Sequence, residues 1–265
     1  MIVVDSHCHV SRDWYEPVES LLYQMNRNKV EQAVLIQTKA ETTNDYQFEC
    51  VRRYPGKFAS VVRVDVSRPD AGDELERLVE RGARGVRFMA TTRSPGDDPL
   101  AIWRKAEQLK LPVSCLALDR WDFTTDEFAR LVEAVPSLPI VLEHLGSLSW
   151  PGEEAPPFDN RRKVFALSRY PNVYLKVHGL GEFTPRPDPI REPRPFGPEV
   201  PPLFELAYQA FGAERLMWGS DYPPVSGREG YANALGLTME QFAGKSRRER
   251  ELIFGQVARR VFGPI

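Results

Sequence analysis

The sequence predicts an α/β protein folded as a (β/α)8 TIM barrel, a single domain over residues 1–265 with a C-terminal helix. Three observations carry that expectation. Short apolar runs alternate with helix-like segments along the whole chain, the pattern of a parallel α/β sheet. Eight such runs fall within 265 residues, close to the length this barrel takes. The first strand-to-helix turn, Asp5-Ser6-His7-Cys8-His9, has no glycine, whereas an open doubly wound sheet usually carries a glycine-rich turn there.

The first strand is the β-branched run Ile2–Val4. Gln32–Ile36, Phe58–Val64, Gly85–Phe88, Pro112–Leu116, Pro139–Leu142, Val173–Val177 and Leu216–Trp218 follow it. Asp73–Arg81, Leu100–Leu109, Asp126–Ala134 and Pro202–Phe211 read as intervening helices. Ser246–Phe262 closes the chain as a helix whose Arg247, Arg248, Arg250, Arg259 and Arg260 form a solvated face. Long loops, 146–160, 179–200 and 220–231, follow strands six, seven and eight. Loops at that end of a barrel build its active site. The stretch from Pro185 to Pro202 is proline-rich and contains Arg186, Arg191 and Arg194, so it is expected to be stiff and extended, a wall or a lid.

Composition excludes several function classes. A formal net charge of -2 with 27% charged residues makes no case for nucleic acid or an anionic membrane. No apolar run approaches the roughly 20 residues that cross a bilayer. The chain enters a strand at Ile2, leaving no room for a signal peptide. Cys8, Cys50 and Cys115 are odd in number and lack C-x-x-C spacing, which fits reduced thiols. A cytoplasmic protein acting on a small molecule is expected, and a homo-oligomer is compatible with the sequence.

The polar residues concentrate at the C-terminal ends of the strands. His7 and His9 end strand one; a strand repeats every two residues, so both imidazoles face one way and Cys8 the other. Two neutral imidazoles so placed can share a metal ion or clamp a substrate oxygen. Arg87 lies between Val86 and Phe88 in strand four, facing opposite to both, and offers a planar fork for a carboxylate or an interior ion pair. His144 follows Val141-Leu142-Glu143, and Lys176 and His178 share one face of strand seven. Asp221 ends strand eight, where a carboxylate can take a proton from water. Trp14, Tyr15 and Trp150 lie on loops of the same face and are expected to line an apolar or ring-binding pocket. All four histidines therefore fall at strand ends, the main argument for a single site.

Asp5-Ser6-His7-Cys8-His9, Val141-Leu142-Glu143-His144-Leu145-Gly146 and Trp218-Gly219-Ser220-Asp221-Tyr222-Pro223 resemble the strand-one, strand-six and strand-eight motifs of the amidohydrolase superfamily. Tyr54-Pro55-Gly56-Lys57-Phe58, Val62-Arg63-Val64-Asp65 and Asn172-Val173-Tyr174-Leu175-Lys176 resemble its lactonase branch, which includes 2-pyrone-4,6-dicarboxylate and sugar-acid lactonases. The resemblance implies a hydrolase that opens a C–O ester bond, a lactone of a small acidic or polyhydroxylated substrate. Asp221 would activate water, His7, His9 and His144 would stabilise the oxyanion, and Arg87, His178, Lys176 and Trp14 would touch substrate. It also implies a divalent ion, zinc or manganese, on His7, His9 and Asp221.

Two departures from the pattern matter. Strand five, Pro112-Val113-Ser114-Cys115-Leu116-Ala117-Leu118-Asp119, has no histidine ligand, and relatives lacking it work without metal, so the metal is left open. Cys115 or Asp119 is the candidate fourth ligand. His178 stands where the pattern has serine. The alternatives are a metal-dependent non-oxidative decarboxylase of an aromatic or muconate-type acid, and an inactive ligand-binding barrel.

Overall fold

The computed structural model describes residues 1–265 apart from 42, 120, 147–154, 187, 188, 190–195, 197–199 and 264. Among the described residues eight parallel strands lie in chain order: β1 (Val4–Cys8), β2 (Gln32–Ile36), β3 (Phe58–Val62), β4 (Gly85–Met89), β5 (Val113–Leu116), β6 (Ile140–Leu142), β7 (Val173–Val177) and β8 (Leu216–Trp218). Helices α1 (Val18–Arg27), α2 (Asp45–Arg53), α3 (Ala71–Glu80), α4 (Ala101–Gln108), α5 (Asp126–Ala134), α6 (Asp159–Phe165), α7 (Leu203–Phe211) and α8 (Tyr231–Gln241) follow the strands in turn. This is the (β/α)8 barrel with its C-terminal helix.

The helices lie where amphipathic spacing puts them. Leu75 and Leu78 of α3, and Phe128, Leu131 and Val132 of α5, are the buried residues of otherwise polar segments. Burying each such side chain contributes on the order of 1.5–3 kcal/mol. The Thr125 hydroxyl caps α5 by accepting from Phe128 N at 3.1 Å.

The barrel closes through backbone bonds of the motif residues themselves. Asp221 N donates to His7 O and His9 N donates to Tyr222 O, both at 2.8 Å. Closure thus sets the two histidines beside Asp221. β1 starts and ends later than expected, running through the polar motif rather than stopping at Val4. Its Asp5 carboxylate is satisfied inside the barrel, accepting from Ser220 N at 2.8 Å, Ser220 Oγ at 2.6 Å and Tyr231 Oη at 2.9 Å. A paired polar group does not break a strand. The register of β1 against β2 shifts between Asp5 and Cys8, a bulge at the edge of the site.

β3 stops two residues early because Asn44 takes over its pairing. Arg63 N donates to Asn44 Oδ1 at 3.0 Å, and Asn44 Nδ2 donates back to Arg63 O at 2.9 Å. The closing helix is interrupted: Arg247–Glu251 and Val257–Phe262 are α-helical, with a π turn, Leu252–Gln256, between them. There Gly255 lies against β1's approach, where a Cβ would stand 2.2 Å from Ile2 O. Only glycine permits that contact. No helix among the described residues is long and apolar enough to cross a membrane.

Candidate active site

β1 and β8 meet around one carboxylate. Asp221 Oδ1 lies 3.7 Å from His7 Nε2 and 3.4 Å from His9 Nε2. Arg228 Nη1 holds the other oxygen, Oδ2, at 2.7 Å. Burial alone would raise the Asp221 pKa, but the His9 contact, His144 and Arg228 outweigh it and hold the carboxyl well below its ordinary range. The His9 ring is fixed in orientation because its Nδ1 donates to Ile36 O at 2.7 Å, and a carbonyl can only accept. Its Nε2 therefore presents a lone pair to Asp221 when neutral, and a proton or a cation must lie between them.

Below this pair is a buried ionic network. Glu143 Oε2 accepts from Arg87 Nη2 at 2.6 Å and Glu143 Oε1 from Arg87 Nε at 3.1 Å, a bidentate fork. Ser114 Oγ donates to Glu143 Oε1 at 2.6 Å and accepts from Lys176 Nζ at 2.8 Å. Burial opposes the charge on Glu143, but Arg87 and Lys176 bring its pKa down to about 2. Burial lowers Lys176 to about 8 against the pull of Glu143. Lys176 Nζ also reaches His7 Nδ1 at 3.0 Å.

β6 and β7 supply a second imidazole pair. His144 Nδ1 donates to Glu182 Oε1 at 2.7 Å. Burial disfavours the charged ring, yet Glu182, with Asp221 and Glu143, raises His144 above its ordinary value. His178 stacks on His144 with centroids 4.6 Å apart and an interplanar angle of 10°. Burial brings His178 down to about 3, so it is neutral at working pH. His7 sits edge-on to His9, His144 and His178 at 4.9, 5.2 and 4.9 Å between centroids. The four histidines form one cluster.

The backbone is strained at both key turns. His144, Leu145 and Asp221 have φ of 51°, 53° and 57°, a left-handed conformation that costs a non-glycine residue about 1–3 kcal/mol. Arg161 of α6 compensates at the first turn, donating to Leu145 O at 2.6 Å and His144 O at 3.3 Å. Gly219 permits the approach of β8 to β1, since a Cβ there would stand 2.7 Å from His7 Cβ and 2.9 Å from His7 N. Gly219→Ala is expected to displace His7 and lower kcat/KM about 100-fold, the scale of a 1 Å misplacement. An unchanged unfolding midpoint in urea would show that the loss is local, and unchanged kcat/KM would mean that the position of His7 is immaterial.

The cluster opens on a cavity of about 590 Å³ lined by His9, Trp14, Tyr15, Lys39, Arg87, Leu116, His144, Asp221 and Arg228, among others. Several expected site residues are therefore at the cavity wall: His9, His144, Asp221, Arg87, Trp14 and Tyr15. His7 is buried behind Asp221. Lys176 and His178, expected to touch substrate, are instead fully buried and absent from that lining, because both follow the interior face of β7 below the mouth. The fork of Arg87 is already taken by Glu143. Cys115 lies in the apolar core with its thiol pKa pushed up by burial, and Asp119 is exposed, so neither joins His7, His9 and Asp221. Trp150, Arg191 and Arg194 fall outside the described residues; Arg186 Nη1 donates to Arg228 O at 2.9 Å.

Glu182, Arg228 and Glu229 were not singled out by the sequence reading. Glu229 packs onto Gly179 and Gly181, where Cβ atoms would stand 1.6 and 2.0 Å from its carboxylate oxygens, and so seats the loop that carries Glu182. Burial pushes Glu229 up to about 7. No spacing rule marks these residues, which lie in irregular loops.

His7, His9 and Asp221 bring ligand atoms within 4.8 Å of one another. Two imidazoles and a carboxylate suit an ion of the zinc or manganese class. Among the described residues His7 Nε2 has no hydrogen-bond partner, which fits a ligand atom. It can act as a ligand when Lys176 is neutral; a charged Lys176 donates to Nδ1 and leaves the ring proton on Nε2. The donor set fits the metal on that condition.

Comparison with known proteins places this geometry in context. A family model described as amidohydrolase matches residues 4–263. L-fucono-1,5-lactonase from Burkholderia ambifaria is 26% identical over 291 residues, covering 95% of this chain and 92% of that protein. A structure described as a probable 2-pyrone-4,6-dicarboxylic acid hydrolase from Acinetobacter baumannii, with citric acid bound, superposes with a TM-score of 0.76 at 20% identity over 99% of both chains. An amidohydrolase from Burkholderia multivorans with bound zinc gives a TM-score of 0.76 at 20% identity, again over 99% of both chains.

Proposed function

Because the chain belongs to the amidohydrolase family and is a hydrolase of that superfamily, we propose that residues 1–265 act as one domain that opens the ring C–O bond of a lactone with water. The observation that carries this reading is the convergence of His7, His9 and His144 on Asp221 at the mouth of the barrel. The similarity to L-fucono-1,5-lactonase supports it.

The chemistry follows from the side chains. Arg228 occupies Oδ2 of Asp221, leaving Oδ1 to accept a proton from a water in the cavity. That water attacks the lactone carbonyl carbon. The His144 ring, whose pKa Glu182 raises, lines the cavity beside the developing oxyanion and in its protonated form donates Nε2–H there, while the His9 Nε2 lone pair accepts from the attacking water. Collapse breaks the acyl–oxygen bond. The proton taken from water passes to the ring oxygen, and the product is a hydroxy acid. A divalent ion held by His7, His9 and Asp221 would supply Lewis-acid polarisation of the carbonyl.

The wall chooses the substrate. Lys39, Arg87 and Arg228 line the cavity, and Lys39, Arg63 and Arg87 line an adjoining cavity that shares Leu116 with it. Arg87 and Arg228 are already paired with Glu143 and Asp221, so Lys39 and Arg63 are the wall cations that favour a substrate with a carboxylate or many hydroxyls. Trp14 and Tyr15, with centroids 6.3 Å apart, add aromatic surface to its lining.

The reading is tested by assaying carboxylated pyranones and sugar-acid lactones with and without a chelator. Ring opening of at least one, at about 10⁴ M⁻¹s⁻¹ or above, is expected, and the chelator arm separates metal-dependent from metal-independent turnover. Failure with every lactone, together with carbon dioxide release from an aromatic acid, would overturn it.

A further inference from the structure

We propose that His144, His178 and Glu182 form a second divalent-cation site, separate from His7, His9 and Asp221 and carried by the turn after β6 and the loop after β7. It does not depend on the lactone chemistry proposed above, although it shares His144.

The starting observation is a buried histidine with nothing to bind. His178 is 0% exposed, and among the described residues neither ring nitrogen has a hydrogen-bond partner. Buried polar groups are normally paired. His178 Nδ1 stands 3.6 Å from Glu182 Oε1. That is too long for a hydrogen bond. It is close to the separation of two ligands on one ion, since bonds of about 2.1 Å at the tetrahedral angle put donor atoms roughly 3.4 Å apart.

The third donor is already in place. His144 Nδ1 touches the same Glu182 oxygen at 2.7 Å, and one ligand atom from each of the three residues lies within 4.8 Å of the others. Both Nδ1 atoms lie beside Glu182 Oε1, and the two stacked rings, 10° from parallel, must tilt toward each other for their in-plane lone pairs to meet on one ion. An ion entering here replaces the His144–Glu182 hydrogen bond, and the displaced Nδ1 proton leaves to solvent. Two imidazole nitrogens and one carboxylate oxygen select a zinc-class ion over magnesium or calcium. Three protein ligands leave a coordination position for water. Access exists at the cavity side, where the Glu182 and His144 side chains are 10% and 6% exposed.

One neighbour opposes the ion. Arg228 Nη2 lies 3.8 Å from Glu182 Oε1. That guanidinium keeps its hydrogen bond to Asp221 at 2.7 Å when Glu182 turns to the metal. His7 faces the site edge-on, its ring centroid 4.9 Å from that of His178.

The test is a metal count. Chelator-stripped protein is loaded with zinc chloride, freed of excess ion by gel filtration and analysed by mass spectrometry of the metal. The wild type is expected to hold one more equivalent than His178→Ser, and one more than Glu182→Gln. Asp221→Asn, which damages only the other set, is expected to retain an equivalent. Cobalt chloride titration of the wild type should give a visible d–d band that is weakened in His178→Ser. Equal zinc content in the wild type and in whichever of the two variants folds, or no ion in Asp221→Asn, would overturn the site. Neither readout involves lactone turnover, so a protein that binds this ion yet opens no lactone would keep the site and lose the function above.

Discussion

Asp221→Asn is expected to lower kcat by about a thousand-fold while leaving the barrel folded. The size follows from general acid–base catalysis, where removing a positioned proton acceptor typically costs 10²–10⁴-fold. The substitution is nearly isosteric, and asparagine tolerates the left-handed backbone that residue 221 adopts at φ 57°. The fold should therefore survive. The amide cannot accept a proton from water as the carboxylate does, and it presents no charge to Arg228, His7 or His9. KM should change little if the substrate is held by the cations of the wall. Steady-state kinetics on the lactone that turns over, with a thermal melt as control, read both effects. A kcat within tenfold of wild type would remove Asp221 from the chemistry.

Glu143→Ala is expected to destabilise the protein by about 3–5 kcal/mol, the cost of breaking a buried ion pair from one side. Glu143 is fully buried and is held by Arg87, Ser114 and the nearby charge of Lys176. Its removal leaves two cations in the barrel interior with no carboxylate between them. The urea midpoint should fall sharply at pH 7. The pH dependence has a definite sign. Glu143 falls from an ordinary 4.5 to about 2 in the fold, so its contribution is fully present above 4.5 and is lost as pH falls through about 2. Between those limits wild type should lose stability on acidification, and Glu143→Gln should lose less. Parallel acid limbs in the two proteins would show that Glu143 is not ionised inside the barrel.

The architecture was legible because apolar runs and polar strand ends repeat on a regular period. Seven of the expected strands overlap observed ones closely; the first was shifted, since the polarity of Asp5-Ser6-His7 hid a strand whose side chains are paired inside the barrel. The same regularity put His144 and Asp221 at strand ends, where the structure brings them to one cavity. Depth was not legible. Lys176 and His178 alternate correctly, but alternation does not say how far below the mouth a side chain lies. Nor does it show that Arg87 is already paired with Glu143. Glu182, Arg228 and Glu229 come from loops that no periodicity describes, and their places depend on contacts across the chain: Glu182 with His144, Arg228 with Asp221, and Glu229 against Gly179 and Gly181.

The central claim, that this site delivers water to a lactone carbonyl, is tested most directly by turnover in oxygen-18 water. One labelled oxygen should appear in the carboxylate of the hydroxy-acid product, none in its new hydroxyl and none in Asp221 after a single turnover. Label in the hydroxyl group, or in the Asp221 carboxylate, would contradict it.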